Sequence, residues 1–284
     1  LGLELESVKG VGYRLPDSFE LLNKATILNH IADSHADVSC KLEILQSIDS
    51  TNRYARERAE GKTISGAVVL AENQTAGRGR RGKTWVSPFA ANLYMSIVWD
   101  FDQGAEALQG LSLAVGVGVR RTLVELGLQG VQLKWPNDIY IGGKKLGGIL
   151  IEMIGDPNGH CTAIIGIGLN VAMPSLAAQE IDQAWTDLQS QSPLPISRNT
   201  LTAKLVVTLF DLLKDFQSVG FQAYRDEWEA ADLLSNLPGT VSTVKETISG
   251  IVLGVDDSGA LRLALPNGAV QQFIGGELSL GPSL

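Results

Sequence analysis

The chain has 284 residues, a mass of 30.3 kDa, a formal net charge of -8, a pI near 5.0 and 44% hydrophobic residues. This is enough for one large or two ordinary domains with a buried core, and the acidic balance excludes bulk non-specific binding to nucleic acid or an anionic membrane. Apolar runs such as Leu111 to Val119 and Ala163 to Leu169 fall short of the roughly 18 residues a membrane span needs, nothing resembles a secretion signal, and two isolated cysteines, Cys40 and Cys161, argue against a disulfide framework or a zinc site and for a reducing cytoplasm.

From Leu1 to Leu15 apolar and polar residues alternate around Lys9-Gly10-Val11-Gly12, which predicts a hairpin closing at Pro16. With no initiator Met, a preceding segment is expected. Helical spacing covers Asp17 to Ile31, with Phe19, Leu22, Ile27 and Ile31 as core positions, and Lys41 to Ile48 alternates as a strand. Asp49-Ser50-Thr51-Asn52 then opens a helical stretch from Arg53 to Gly61. A hydroxyl there caps the helix, and a helix N-terminus lined with hydroxyls is also a socket for a polar ligand; both readings stand.

Gly66 to Ala71 reads as a strand that runs into the stretch from Gln74 to Trp85. Arg78, Arg80, Arg81 and Lys83 crowd this stretch, and no Asp or Glu lies between Glu72 and Asp100. Glycines at 77, 79 and 82 let backbone N–H groups turn inward, while arginines add planar donors that keep their charge, a combination suited to a phosphate or a carboxylate. The alternatives are a solvated basic face, a dinucleotide turn and a nucleic-acid arm. A dinucleotide turn needs a helix, yet Trp85-Val86-Ser87-Pro88 follows at once; a nucleic-acid arm needs interleaved aromatics, and only Trp85 is near.

Asn92 to Trp99 is a strand, and Leu108 to Leu126 is a helix apolar on most sides, with Gly110, Gly116 and Gly118 admitting other backbone closely. Val131 to Trp135 is a strand that stops at Pro136-Asn137-Asp138, and Ile139 to Ile141 leads to Gly142-Gly143-Lys144-Lys145-Leu146-Gly147-Gly148. Two lysines on glycine turns read as an ordinary hairpin tip. As a second cation-bearing turn at a strand end, they also read as the other half of a grip on one anionic ligand. Leu146 after Lys145 excludes a Walker motif. Thr162 to Val171 is a buried strand, and Met173 to Ala184 is polar and weakly patterned before Trp185, which suits either a core or a base-stacking platform. Thr200 to Gln217 and Phe221 to Ala231 are helical, and from Pro238 the strands Thr240 to Val244, Ile248 to Val255, Ala260 to Leu265 and Val270 to Phe273 form a small all-β domain.

In this order Ser50-Thr51-Asn52, Gln74-x-x-Gly77-Arg78-Gly79-Arg80-Arg81-Gly82, Lys134-Trp135-Pro136-Asn137-Asp138 and Gly143-Lys144-Lys145-Leu146-Gly147-Gly148 resemble the biotin protein ligases over nearly the whole chain. The resemblance is to the bacterial bifunctional kind, which is also the biotin operon repressor. It implies an α+β fold, a mixed sheet with flanking helices followed by a small C-terminal SH3-like β-barrel. The implied domains are a winged helix-turn-helix remnant at 1–16, a catalytic biotin- and ATP-binding domain at 17–235 and the β domain at 236–284. Lys9 to Pro16 resembles the wing, and the recognition helices are missing, so operator DNA is expected as a partner only of a form with an intact N-terminal domain.

The resemblance also implies the chemistry. Biotin's carboxylate attacks the α-phosphate of ATP to give biotinyl-5'-adenylate and pyrophosphate, and a lysine of the biotin carboxyl carrier protein then displaces AMP. Such a step needs positioning and cationic stabilisation, not a nucleophile triad. His30, His35 and His160 accordingly sit outside every motif. By resemblance, Ser50, Thr51, Asn52 and Gln74 contact the biotin rings, and Arg78, Gly79 and Arg80 line the biotin and phosphate loop. Lys145 binds the carboxylate and then the phosphate bridge as the main catalytic cation, with Arg80 as the second. Arg81, Lys134, Asn137 and Asn170 contact the nucleotide, and Trp185 stacks on adenine beneath the folding 173–184 stretch. Mg2+ accompanies ATP; Asp138 is a lone carboxylate candidate for it, too little for a dedicated metal site. A ligand-induced homodimer is a further expectation, and no membrane partner is. The rivals are a lipoate-type protein ligase and a ligand-sensing regulator without turnover.

Overall fold

The computed structural model describes residues 6–8, 10, 12–14, 20–35, 38, 40–104, 108–156 and 159–280. β1 (Glu6–Val8) and β2 (Gly12–Arg14) pair antiparallel as the expected hairpin; Pro16 and Phe19 lie outside the described residues. Helix α1 (Lys24–Ser34) starts later than the spacing from Asp17 predicts. Asn23 is the reason: its side chain accepts from the Thr26 N–H at 3.0 Å and sets the helix start, while Leu22, Ile27 and Ile31 are buried as expected.

The main sheet contains β3 (Lys41–Leu45), β4 (Ala67–Ala71), β5 (Leu93–Phe101), β6 (Val131–Lys134), β7 (Asp138–Ile141), β8 (Lys144–Gly155) and β9 (Cys161–Leu169). Its order is β3-β4-β5-β9-β8-β7-β6. β3 and β4 are parallel, joined over the sheet by helix α2 (Thr51–Ala59), and the other ladders are antiparallel. β5 and β9 lie at the centre because they are apolar on both faces. Val68, Leu70, Met95 and Ile97 face the large core, where α1 and α3 (Leu111–Glu125) pack; Val69, Val98 and Ile164 face the smaller cluster under α2.

Two short helices, α4 (Ser175–Ala178) and α5 (Leu188–Gln191), precede α6 (Arg198–Val219), which Ser197 caps by accepting from the Thr200 N–H. Gly118 lets α3 and α6 meet, since a Cβ there would sit 2.8 Å from Leu209 Cδ2. β8 is 12 residues long, far more than its glycine-rich start advertised. A turn of 3-10 helix (Phe221–Tyr224) and α7 (Arg225–Ala230) lead to the C-terminal sheet. Its strands are β10 (Pro238–Ser242), β11 (Thr247–Val255), β12 (Leu261–Ala264), β13 (Val270–Phe273) and β14 (Glu277–Leu280), antiparallel in the order β13-β12-β11-β10-β14. β14 was hidden in the sequence by Gly275-Gly276. The small sheet is fastened to the large one by the Trp135 indole, buried, which donates to the Gly259 carbonyl at 3.1 Å.

Behind the sheet lies a buried polar node. Arg198, at the start of α6, donates to Glu72 Oε2 at 2.8 Å, to the Asn92 carbonyl at 3.2 Å and to the Glu20 carbonyl. Glu72 also accepts from the Leu22 N–H at 2.6 Å, and Glu20 accepts from Ser197, Arg198 and Asn199. Residues 20–23 are thus held by the start of α6 and by the end of β4, and do not continue α1 backwards.

Candidate active site

Crossing from β3 to α2, the chain is stitched to the glycine-rich loop: Thr75 N–H donates to the Ile48 carbonyl at 2.8 Å and Ala76 N–H to that of Asp49 at 2.9 Å. Ser50 caps α2 by accepting from the Arg53 N–H at 3.5 Å. Thr51 donates through its N–H and hydroxyl to Gln74 Oε1 at 2.9 and 3.2 Å, and Gln74 Nε2 donates to Ser87 Oγ. The fully buried Ser96 hydroxyl lies 2.8 Å from Thr51 Oγ1 and 2.7 Å from Asn52 Oδ1. Cap and socket therefore coexist at this helix start.

These residues form one end of a cavity of about 290 Å³. Ser50, Thr51, Asn52 and Gln74 line the polar end, and Arg78, Gly79, Arg80, Lys134, Asn137 and Lys145 line the rest. The two cation-bearing turns meet through neighbouring residues of the Lys134–Asp138 turn. Arg80 donates to Asn137 Oδ1 at 3.5 Å, and Lys145 Nζ lies 2.7 Å from Asp138 Oδ1 with both side chains 15% exposed. Strand alternation explains the lysine pair: Lys144 points to solvent and Lys145 inward, so the hairpin-tip and ligand readings are both met. Burial pushes the Arg80 guanidinium down, opposed by Asp138 and Glu277. Burial likewise lowers Lys134, whose ammonium sits 5.4 Å from the Tyr140 ring centre, and raises the Tyr140 phenol to about 12. Arg78, Arg80, Lys83, Lys134 and Lys145 line this cavity against the carboxylates of Asp138 and Glu277, a cationic excess that suits an anion.

A second cavity of about 650 Å³ shares Lys145 and Trp85 with the first and is lined by Asn170, Met173 and Trp185. Its far wall is fixed by backbone: Lys145 N–H donates to the Ala184 carbonyl and Thr186 N–H to that of Lys145, both at 2.9 Å, while Asn170 Nδ2 holds the Thr186 carbonyl at 3.0 Å. Arg81 is the expected nucleotide contact that lines neither cavity. Its backbone is left-handed, with φ 55°, and its guanidinium turns to the Ser242 carbonyl of the C-terminal sheet at 3.2 Å. Lys83 pairs with Glu277 of the same sheet at 2.8 Å and holds that carboxyl below its ordinary range.

Trp85 was passed over in the sequence as an isolated aromatic. It forms the partition between the cavities, beneath the Lys145 ammonium at 5.9 Å from the ring centre, and its Nε1 is buried with no hydrogen-bond partner among the described residues. Gly168 makes its seat, because a Cβ there would lie 2.7 Å from Trp85 Cε2, and Gly166 makes room for the Asn52 amide in the same way. A glycine at alternate positions of an otherwise apolar strand, Gly166-Ile167-Gly168, was the legible signal. Among the described residues no group of three or more His, Cys, Asp or Glu is placed to hold a metal ion. Asp138, already held by Lys145, suits one contact to an ion that arrives on a nucleotide.

Comparison with known proteins bears on this geometry. The Biotin/lipoate A/B protein ligase family pattern matches residues 44–170, and the Biotin protein ligase C terminal domain pattern matches residues 241–281. The chain is 39% identical over 279 residues to the bifunctional ligase/repressor BirA of Escherichia coli, covering 98% of this chain and 84% of that protein. It is 34% identical over 249 residues to the biotin--[acetyl-CoA-carboxylase] ligase of Paracoccus denitrificans, covering 82% of this chain and 100% of that protein. In structure it is similar to the biotin protein ligase of Aquifex aeolicus in complex with biotin and ATP, with a TM-score of 0.73 and 28% identity over 86% of this chain and 99% of that one. With two curated relatives above 30% identity matched over most of their length, and with residues of all four motifs lining the first cavity, the chain belongs to the biotin protein ligase family.

Proposed function

We propose that this chain is an ATP-dependent biotin protein ligase that forms biotinyl-5'-adenylate and passes biotin to a lysine of the biotin carboxyl carrier protein. The observation that carries this reading is the meeting of Arg80 and Lys145 in one cavity, at Asn137 and Asp138, beside the polar socket of Thr51 and Gln74. The ureido ring sits in that socket, and the carboxylate extends to Lys145 at the partition. ATP occupies the second cavity with adenine between Trp85 and Trp185 and its phosphates toward Lys145, Arg80 and Lys134. Lys145 holds the two anions against each other, and the charge that builds at phosphorus is met by cations already in place. Mg2+ would arrive on the nucleotide, with Asp138 as one protein contact, and would supply charge neutralisation at the leaving pyrophosphate. Asn170 acts by fixing the Trp185 wall.

The polar socket favours biotin over lipoate. A dithiolane offers no hydrogen-bond donor or acceptor to the Ser50, Thr51, Asn52 and Gln74 groups that line the socket, and a site built to hydrogen-bond its substrate rejects an analogue without those groups by about 10⁴–10⁵-fold. Pyrophosphate release with ATP and either acid is the test. Biotin is expected to exceed lipoate at least about a thousandfold in kcat/KM; equal rates, or none with either, would sink the reading. A second expectation concerns the partition: Gly168→Ala displaces the Trp85 indole and raises the biotin dissociation constant by calorimetry about tenfold, the penalty of forced overpacking. Unchanged affinity would show that Trp85 is not held where ligand binds.

The organisation that serves this reaction is a wing-like segment at 1–16, a ligand-binding unit at 17–235 and a β unit at 236–284. No helix among the described residues is long and apolar enough to cross a membrane, and with Cys40 and Cys161 both free we place the enzyme in the cytoplasm. A ligand-induced homodimer is part of this reading, and operator DNA is a partner only of a form with an intact N-terminal DNA-binding domain.

A further inference from the structure

Outside the ligand cavity, on the far side of the glycine-rich loop, one carboxylate has an unusual set of partners. Glu152 lies on β8 on the same face as Gly148 and Leu150, both of which line the ligand cavity. Glu152 itself lines the adjoining hollow beneath the loop and not the ligand cavity. Its side chain is 18% exposed, and its Oε2 accepts from Asn52 Nδ2 at 2.9 Å and from Arg78 Nη2 at 2.9 Å. Arg56 of α2 approaches Oε1 at 3.9 Å.

The two donors on Oε2 come from different elements that line the cavity, α2 and the glycine-rich loop. The second amide proton of Asn52 goes to the Leu150 carbonyl at 3.1 Å, which spends both N–H groups and leaves Oδ1 toward Ser96. Glu152 therefore fixes which way the Asn52 amide faces. Arg78, 42% exposed and free to swing on its flexible stem, lines both the cavity and the hollow, so its anchor decides how much time it spends over the ligand.

We propose that Glu152 is a positioning residue for the ring socket: from outside the cavity it locks the Asn52 amide and the Arg78 guanidinium, and so sets biotin affinity, not the rate of the chemical step. This rests on the biotin-ligase reading above. Glu152 touches no reacting atom and works through two neighbours, one from the start of α2 and one from the loop.

The experiment measures biotin-dependent pyrophosphate release by the whole chain and by Glu152→Gln, Arg78→Gln and the double variant. Wild-type turnover establishes the ligase reading independently; its absence would refute that reading and leave nothing for Glu152 to position. Given turnover, Glu152→Gln is expected to raise the biotin KM about tenfold with kcat within about twofold and the ATP KM unchanged. The double variant should bind biotin worse than Arg78→Gln alone but by less than the two single effects combined, because the Arg78 contact is shared between the mutations and the Asn52 contact is not. An unchanged KM in Glu152→Gln, a kcat loss as large as the KM gain, or additive effects in the double variant would each overturn the proposal. Should Glu152→Gln fail to fold, the unmodified protein still decides. Dissociation of biotin amide, which lacks the carboxylate, should accelerate severalfold from low to high salt as the half-exposed ion pair is screened; a salt-independent rate would overturn it.

Discussion

Lys145→Ala is expected to lower biotin-dependent pyrophosphate release at saturating substrates by about 10²–10³-fold, the usual loss when one preorganised stabiliser of transition-state charge is removed. Two effects add. The variant loses the ammonium that holds two anions together, and it exposes the Asp138 carboxylate, now paired with Lys145 at 2.7 Å, to the incoming phosphates. A cationic contact becomes an anionic one. Neutralising the second effect gives an internal check: Lys145→Ala combined with Asp138→Asn should recover part of the rate. The fold should persist, since the ammonium lies at a cavity wall and not in the apolar core. A rate within tenfold of the parent in the single variant would remove Lys145 from the mechanism.

Arg198→Ala should cost about 3–5 kcal/mol of stability, the penalty for leaving one member of a buried ion pair behind. Arg198 and Glu72 side chains are each 4% exposed, so water does not replace the lost partner. Besides the carboxylate, the Asn92 and Glu20 carbonyls lose a donor. A loss of that size lowers the melting temperature by about 10 °C in a domain of this size, as calorimetry would read. The pair is costly to break but need not be better than an apolar contact. Replacing both members, Arg198→Met with Glu72→Leu, should restore much of the loss. A single variant that melts within about 2 °C of the parent would show that the node is solvated and that this account of it is wrong. Because Glu72 immediately precedes Asn73 and Gln74, the damage should spread to the socket as weaker biotin binding.

These two cases differ in how readable they were. Lys145 was marked by the glycines around it and by the parallel with the Arg78–Arg81 run, both local signals. Arg198 was invisible, since an arginine at a helix start reads as surface and its partner stands far along the chain at the end of β4. Helix α1 failed for the same reason. Its sequence spacing extended to Asp17, but the backbone before Asn23 is taken up by the node around Glu20 and Glu72. The glycine-rich start of β8 concealed a strand because glycine is poor in intrinsic strand preference, and pairing with β7 at its start and with β9 from Gly147 to Gly155 supplies the stability.

By itself, the sequence determined the local matter: where apolar periodicity builds strands and helices, where glycines permit turns, and that two cation-bearing turns sit at strand ends. It also carried the family likeness through motif order. Only the tertiary structure decided which of two adjacent cations lines the first cavity, turning Arg80 inward and Arg81 to the C-terminal sheet. It also made Trp85 a partition and joined Asn52 and Arg78 at Glu152. The reason is physical: local preference depends on neighbours within a few residues, whereas a side chain's role here depends on sheet register and on backbone approach between segments far apart in the chain.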